Sequence, residues 1–450
     1  GAGTDVGALR TTAKRLPDGK FSITGTKCFI SAGDHDLTEQ IVHPVLARID
    51  GDPPGTRGIS IFLVPKFFPN GDGTIGERND VVCSGIEHKM GIKGSATCTL
   101  SFGENGKCRG FLMGEERQGM KIMFHMMNEA RTDVAVEALG VSSSAYMHAA
   151  TYAKNRVQGS DAVKKTGQSV PIVAHPDVKR MLLWMKANVE AMRMITLFAA
   201  SLSDFGHASG DERARDALDL LDFLIPICKA GNTDLGWLIT GEAIQVYGGY
   251  GYCSDYPVEQ LARDSKILAI YEGTNGIQSI DLAMRKLLMN PGMKLYRLFK
   301  SRIMETVNRA ESIVESRYVT ALVRGIVRMD EAVAGLFSLM DSGDMAAVFA
   351  AATPLQQAFR VLAHGWMHLW SMSVAVPKLR ELAGDASGKD IEALADDNPE
   401  IAYYYGKILS GRFYLGSEFS KFGGIIDSIL SGERAVVESF AGMFTGMPGE

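Results

Sequence analysis

Near Gln118 the spacing of apolar residues changes period, and that change divides the chain into parts that cannot share one kind of secondary structure. Before it, glycines and prolines punctuate short alternating runs, the signature of strands and tight turns. Pro17-Asp18-Gly19 separates two such runs, with Phe21-Ser22-Ile23-Thr24 on its far side, and predicts a hairpin. Cys98, Leu100 and Phe102 alternate with Thr97, Thr99 and Ser101, which predicts a strand with one buried and one wet face. The run Ile59–Val64 is apolar on both faces apart from Ser60 and should be a central strand.

From Gln118 onward Met120, Met123, Phe124, Met127, Ala130, Val134 and Ala138 follow helical spacing, with no proline before Pro171. Further helical patterns cover about 176–206 and 211–247, the second containing Pro226, and shorter ones continue to about 290. Asn290-Pro291-Gly292 is a helix stop and a domain boundary. Beyond it Ile303, Val307, Ala310, Val314 and Tyr318 read as one helix, followed by helices over roughly 344–382 and 400–432 with a loop around Gly384–Gly388 between them. The fold class is α+β: an antiparallel β domain over residues 1–115, a helical domain over 116–292 and an additional C-terminal helical domain over 293–450. A chain of 450 residues exceeds the ~250–300 that one core usually serves, which agrees with a division of this kind.

The net charge of −5 gives no field that would favour nucleic acid or an anionic membrane. No apolar run reaches the ~18 residues of a membrane span; Leu218–Cys228 is short and broken by Asp219 and Asp222. The six cysteines show no C-x-x-C spacing and read as small buried hydrophobes of a cytoplasmic protein, without disulfide or zinc framework.

Three patterns invite chemistry and do not carry it. Gly1-x-Gly3-x-x-x-Gly7 has dinucleotide-loop glycines but leads into an extended run, not a helix. His364 and His368 are four apart on a helix, yet no third ligand and no H-E-x-x-H glutamate accompanies them, so they read as packing residues and no metal is expected. The methionines from Met120 to Met127 read as core.

The segment 245–278 is different. Gln245 is followed by Gly248, Gly249 and Gly251, which allow a backbone to lie close to a flat ligand. Arg263-Asp264 reads as a solvated charge pair in a short helix. Glu272 ends the apolar run Ala269-Ile270-Tyr271 just before Gly273-Thr274, a low-dielectric setting suited to a general base. Spacing alone leaves it equally readable as an ordinary surface glutamate.

Here the residues carry a resemblance. The string from Gln245 to Gln278, above all Tyr256-Pro-Val-Glu259, Arg263-Asp264 and Ile270-Tyr-Glu-Gly-Thr274, resembles the C-terminal signature of flavin-dependent acyl-CoA dehydrogenases. Gly1-Ala-Gly-Thr-Asp5 and Lys27-Cys-Phe-Ile-Ser-Ala-Gly33 resemble two earlier motifs of that family, in family order, so the likeness covers about residues 1–290. The helical part from about 293 to 450 resembles a branch of larger members, the 3-methylmercaptopropionyl-CoA dehydrogenase-like enzymes. The family's N-terminal helical domain and first strands have no counterpart here, so the sequence is read as a fragment of a longer polypeptide.

The resemblance implies FAD as cofactor and an acyl-CoA thioester as substrate, desaturated to a trans-2-enoyl-CoA. Glu272 takes the place of the base that removes the α-proton while the β-carbon passes hydride to flavin N5. A second branch of the family carries its base directly before an arginine on the long helix; here that position is Ala130, before Arg131. Phe29, Ser31, Thr274 and Asn275 match flavin contacts, Phe29 standing where most members have tryptophan. Gln245, Gly248, Gly249 and Arg156 match residues that reach the cofactor of a neighbouring subunit. Thr4, Asn128 and Arg131 match the CoA side of the substrate site, and Tyr271 and Gly273 flank the base within it. A homodimer and an electron-transfer flavoprotein as electron acceptor follow from the same likeness. Two other readings stay open: an acyl-CoA oxidase that passes electrons to dioxygen, and a non-catalytic acyl-CoA-binding protein.

Overall fold

The computed structural model describes residues 2–161, 163 and 167–446. These fall into two compact units, residues 1–130 and 131–450.

The first unit is built on nine strands: β1 (Thr12–Arg15), β2 (Phe21–Ser31), β3 (Val42–Ile49), β4 (Ile59–Pro65), β5 (Phe67–Pro69), β6 (Ile75–Arg78), β7 (Val81–Ile86), β8 (Thr97–Phe102) and β9 (Arg109–Leu112). Seven of them form a sheet in the order β1-β3-β4-β9-β2-β8-β7, and β1 also pairs with β2 so that the sheet closes on itself. The Pro17–Gly19 turn joins β1 and β2 as an antiparallel hairpin, with Ala13 opposite Ile23. Strand β4 is paired on both sides, by β3 and β9, and only Leu63 in it is not buried. One ladder departs from the antiparallel pattern, since β1 runs parallel to β3. That pairing is non-local and has no turn signal to reveal it. In β8 the wet face is also partly covered: Ser101 is buried, because β2 and β7 flank the strand on both sides.

Helix α1 (Gly119–Asn155) follows. Met120, Met123, Phe124 and Met127, expected in the core, are only half-buried. Further along, Val134, Ala138, Ala145, Ala149 and Ala153 line one face of α1 and pack with Leu235, Ile239, Ala243 and Val246 of a later helix. Small residues at that spacing let two helix backbones approach closely. After a short hairpin of β10 (Val157–Ser160) and β11 (Ser169–Pro171) come the long helices α2 (Pro176–Ala208) and α3 (Glu212–Tyr247). Pro226 sits inside α3, and the helix runs on past it. Two short helices, α4 (Pro257–Ser265) and α5 (Asn275–Asp281), then bracket the Tyr271–Thr274 loop.

A π-helical stretch, Leu282–Leu288, leads to the Asn290-Pro291-Gly292 stop, where Gly292 and Met293 both adopt positive φ. Beyond it lie α6 (Lys294–Ala310), α7 (Ser316–Asp341), α8 (Met345–Ala383), α9 (Lys389–Asp397), α10 (Pro399–Gly416), α11 (Lys421–Leu430) and α12 (Ala435–Glu438). The single helix expected from Ile303 to Tyr318 is two, α6 and α7. The turn between them keeps Val314 and Tyr318 buried, so the apolar period runs through a break in the backbone.

The core of these helices is continuous with that of α2 and α3. One buried cluster joins Ile195, Leu220, Phe223 and Leu282 to Phe299, Leu322, Phe359, Trp366 and Tyr414. Each such side chain contributes about 1.5–3 kcal/mol on burial. Trp366 donates its indole N–H to Thr306 Oγ1 at 2.7 Å, and its ring meets Phe198 and Phe299 edge-on.

His364 and His368 are buried in this core. His368 stacks on Tyr414, its Nε2 lies 3.0 Å from the Ala187 carbonyl oxygen, and burial lowers its imidazole to about 4. Among the described residues no group of three or more metal-ligating side chains comes together, and no helix is long and apolar enough to cross a membrane. All six cysteines are free; Cys98, Cys108 and Cys228 are buried as expected, whereas Cys28 and Cys253 are exposed.

Candidate active site

The second unit carries two constellations. The first centres on the loop between Ile270 and α5. Glu272 adopts φ +55 and Gly273 φ +85, two consecutive left-handed residues. Glycine adopts that conformation freely, but for glutamate it is sparsely populated and is kept only where the surroundings impose it. Thr274 then caps α5, its hydroxyl accepting the Ile277 N–H at 3.4 Å. Glu272 is half-buried rather than enclosed within the chain.

Three elements meet this loop. From α3, Lys229 is fully buried and donates to the Gly273 carbonyl at 2.9 Å and to Asn275 Oδ1 at 3.0 Å. Burial pushes its ammonium down to about 8. The Asn275 carboxamide is turned into α3, donating to Thr233 Oγ1 at 2.9 Å and Asp234 Oδ1 at 2.7 Å. Burial raises the Asp234 carboxyl above its ordinary value, with the Asn275 hydrogen bond opposing that shift. From α1, Arg131 is buried with its Nε unpartnered; burial lowers its guanidinium, while Asp281 and Glu272 favour the charge. Glu137, also on α1, accepts the Tyr271 hydroxyl in a short hydrogen bond. From α5, Gln278 is completely buried and neither polar atom of its carboxamide has a partner. Its Nε2 lies so near Gly273 that a β-carbon there would sit 2.7 Å from it.

The second constellation lies where α1 and α3 end. Tyr152 stacks on Tyr247 at 4.0 Å, and Tyr247 and Tyr250 both meet Tyr256. These rings fix the turn Gly248–Tyr252, where Gly248 adopts φ +62. Gly251 is packed against its own helix, a β-carbon there standing 2.5 Å from the Ile244 carbonyl oxygen; Gly248 and Gly249 face open space. Gln245 is exposed beside them, and the Arg156 guanidinium lies over the Tyr250 ring.

The two groups are far apart. Gln245 is about 24 Å from Lys229 along α3, and Arg156 is about 37 Å from Arg131 along the line of α1, at 1.5 Å per residue. The sequence-predicted residues Glu272, Tyr271, Gly273, Thr274, Asn275 and Arg131 thus come together, and Gln245, Gly248, Gly249 and Arg156 form a separate set.

In the first unit Phe29 is the singular residue. It adopts φ +60, lies in an irregularity of the β2–β8 ladder between Lys27 and Ile30, and is 74% exposed. A bulky side chain held in a left-handed bulge and turned outward is a strained arrangement of the kind found at binding sites. Ser31 follows, exposed and opposite Thr97. Thr4 is exposed in a turn, its carbonyl accepting the Val6 N–H at 3.1 Å. Asn128 is half-buried on α1. Gly1, the first residue of the motif that contains Thr4, lies outside the described residues.

Sequence reasoning missed Lys229, Asp234, Glu137 and Gln278. Only Lys229 left a signal, as a lone cation closing the apolar run from Phe223. Arg263 pairs with Glu259, one helical turn earlier, at 2.6 Å, a partner that sequence reasoning missed, and Asp264 also favours its charge.

The family model "Acyl-CoA dehydrogenase, middle domain" matches residues 1–104, "Acyl-CoA dehydrogenase, C-terminal domain" matches 117–287 and "Acetyl-CoA dehydrogenase C-terminal like" matches 299–439. A butyryl-CoA dehydrogenase of Syntrophomonas wolfei subsp. wolfei is 38% identical over 424 residues, covering 92% of this chain and 67% of that protein. A 3-methylmercaptopropionyl-CoA dehydrogenase of Ruegeria pomeroyi is 36% identical over 391 residues, covering 86% of this chain and 65% of its own length. Among solved structures, Caenorhabditis elegans ACDH-11 in complex with C11-CoA superposes with a TM-score of 0.69 over 98% of this chain and 67% of that one; at 20% identity this is a likeness of fold. The chain spans about two thirds of the length of these relatives.

Proposed function

The chain belongs to the acyl-CoA dehydrogenase family of FAD-dependent oxidoreductases, and from that premise we propose that Glu272 is the base that removes the α-proton of an acyl-CoA thioester on the way to a trans-2-enoyl-CoA. The observation that carries this reading is the conformation of Glu272: a carboxylate held at φ +55 between Tyr271 and Gly273, beside a buried arginine and a buried lysine. Glu272 in turn favours the charge of both cations. The Glu272 backbone N–H is assigned to the thioester carbonyl, where negative charge develops as the proton leaves. A donor of that kind is worth roughly 3–4 kcal/mol.

The residues present fit a bound FAD. In the first unit Phe29 offers an exposed aromatic face with the exposed Ser31 two residues on, and in the second Gly248 and Gly249 face open space in the glycine turn whose Tyr250 ring seats Arg156. When bound, FAD supplies the acceptor for the hydride that leaves the β-carbon. The separation of Gln245, Gly248, Gly249 and Arg156 from Glu272 supports their serving the cofactor of a second copy, and hence a homodimer. Arg156 suits a pyrophosphate, and Thr4, Asn128 and Arg131 are assigned to the CoA moiety. Asn275, whose side chain is committed to α3, is left to act through its backbone or through the loop. We read 1–115, 116–292 and 293–450 as the three sequence segments of this enzyme and an electron-transfer flavoprotein as its oxidant.

Glu272→Gln tests the proposal. The variant should keep flavin and bind acyl-CoA, yet lose bleaching of the flavin by substrate. Undiminished bleaching would remove Glu272 from the role, and peroxide formation by the unaltered protein without a flavoprotein partner would turn the reading toward an oxidase.

A further inference from the structure

Lys229 lies at the centre of an arrangement that the α-proton chemistry does not use. It is completely buried on α3, within an apolar helix face, and its ammonium reaches the one segment of the chain that holds Glu272. One hydrogen bond goes to the Gly273 carbonyl at 2.9 Å and another to Asn275 Oδ1 at 3.0 Å, so the two acceptors lie one and three residues past Glu272. Asn275 is itself held from α3 by Thr233 Oγ1 at 2.9 Å, by Asp234 Oδ1 at 2.7 Å and by the Ala230 carbonyl at 3.3 Å. The segment Gly273–Asn275 is therefore tied to residues 229–234, about one and a half turns of a rigid helix, through the side chains of Lys229 and Asn275.

A buried ammonium is costly unless its hydrogen bonds are made. Gly273 and Glu272 both occupy left-handed backbone conformations, which for glutamate is a strained state that a free loop would leave. We infer that Lys229, through Gly273 and Asn275, is the positioning residue that holds Glu272 in its left-handed conformation and so aims its carboxylate at the substrate. The inference rests on the assignment of Glu272 as base for its effect on rate, but not for its effect on the loop. Lys229 touches neither substrate nor cofactor in this role. It acts through the backbone, and its partner Asp234 supplies the opposing charge on the far side of Asn275.

The experiment uses the flavin-loaded protein and two variants. Lys229→Met removes both donated bonds while keeping an unbranched chain, and Asn275→Ala removes the second arm while leaving Lys229 on Gly273. Amide hydrogen exchange in peptides covering residues 271–277 should rise by roughly tenfold or more in Lys229→Met, with α7 and α8 unchanged. Flavin bleaching at saturating butyryl-CoA should slow on the order of a hundredfold, with KM within about threefold, because misplacing a base lowers the rate of the chemical step. Asn275→Ala should show the same pattern to a smaller extent, and it carries the test if Lys229→Met does not fold. Unchanged exchange over 271–277 overturns the inference, whatever the rates. Raised exchange there in a protein whose flavin no acyl-CoA bleaches upholds the clamp and removes the dehydrogenase reading. Raised exchange with bleaching rates equal to those of the unaltered protein overturns the positioning of Glu272 by Lys229 and leaves that reading standing.

Discussion

The Arg156 guanidinium carbon lies 5.7 Å from the centre of the Tyr250 ring, which joins the end of α1 to the glycine turn that follows α3. A guanidinium over an aromatic face is restrained while most of its five donors stay open; one reaches Gln158 Oε1 at 3.3 Å, and the others are left to grip a phosphate.

Arg156→Ala should therefore weaken FAD binding by roughly 10- to 100-fold, since a hydrogen bond to a charged group is worth about 1.5–3 kcal/mol. Tyr250→Leu, which leaves the charge and removes its seat, should cost only about 0.5–1 kcal/mol. Titration of flavin fluorescence measures both. An unaltered dissociation constant in Arg156→Ala would take that residue out of the cofactor site.

Phe29→Gly separates strain from binding. The side chain is largely exposed and its φ is +60, so glycine forfeits little packing and relieves backbone strain of about 1–2 kcal/mol. The extra freedom of glycine in the unfolded chain takes back about 0.4–1 kcal/mol. The midpoint of thermal unfolding without flavin should thus hold or rise slightly, while flavin content after purification falls. A clear loss of stability would mean that Phe29 packs as a core residue.

Much of this molecule was legible in its residues because the signals were local. The Pro17–Gly19 hairpin, the central β4 and the helices α2, α3 and α8 all follow from periodicity and turn chemistry. Glu272 stood out because an apolar run ends on it, and the ordered motifs pointed to the residues around it. What stayed hidden depends on pairs distant in the chain. Lys229 and Gly273 are 44 residues apart, Tyr271 and Glu137 are 134 apart, and neither partner marks the other. The β1–β3 parallel ladder and the Arg263–Glu259 pairing went unread for related reasons: strand order is set by closure of the sheet, and Glu259 meets Arg263 only once the helix brings residues four apart together.

His368 makes the helical unit sensitive to acid. An unfolded histidine takes up its proton near 6.5, whereas the buried imidazole does so only near 4. Between those values the unfolded chain binds more protons, so stability falls as pH falls. Glu190 favours the protonated ring, while Lys407 and Lys186 oppose it. From pH 7 to pH 4 this group should withdraw about 3 kcal/mol. In His368→Gln, the loss of urea-unfolding free energy over the same range should be smaller by that amount. Parallel curves for the two proteins would refute the assignment.

Thr306→Val tests the joint between α6 and α8. The variant keeps the shape of the side chain but leaves the Trp366 indole N–H buried without an acceptor, at about 1–3 kcal/mol. Trp366→Ala should be worse, about 3–5 kcal/mol, because a cavity opens among Phe198, Phe299 and Trp370. Both are read from the urea midpoint. If Thr306→Val is neutral, the indole has found another acceptor.

The buried cluster that runs from Ile195 and Phe223 into Phe359 and Trp366 also bears on how this protein tolerates change. The helices past residue 293 share one buried core with α2 and α3, and α3 holds the loop that carries Glu272. A survey of random substitutions would therefore score many positions past residue 293 as inactivating, and a reader of such a map could mistake them for catalytic ones. Suppression by a stabilising change elsewhere would tell the two apart, for it restores a weakened scaffold and never a missing base.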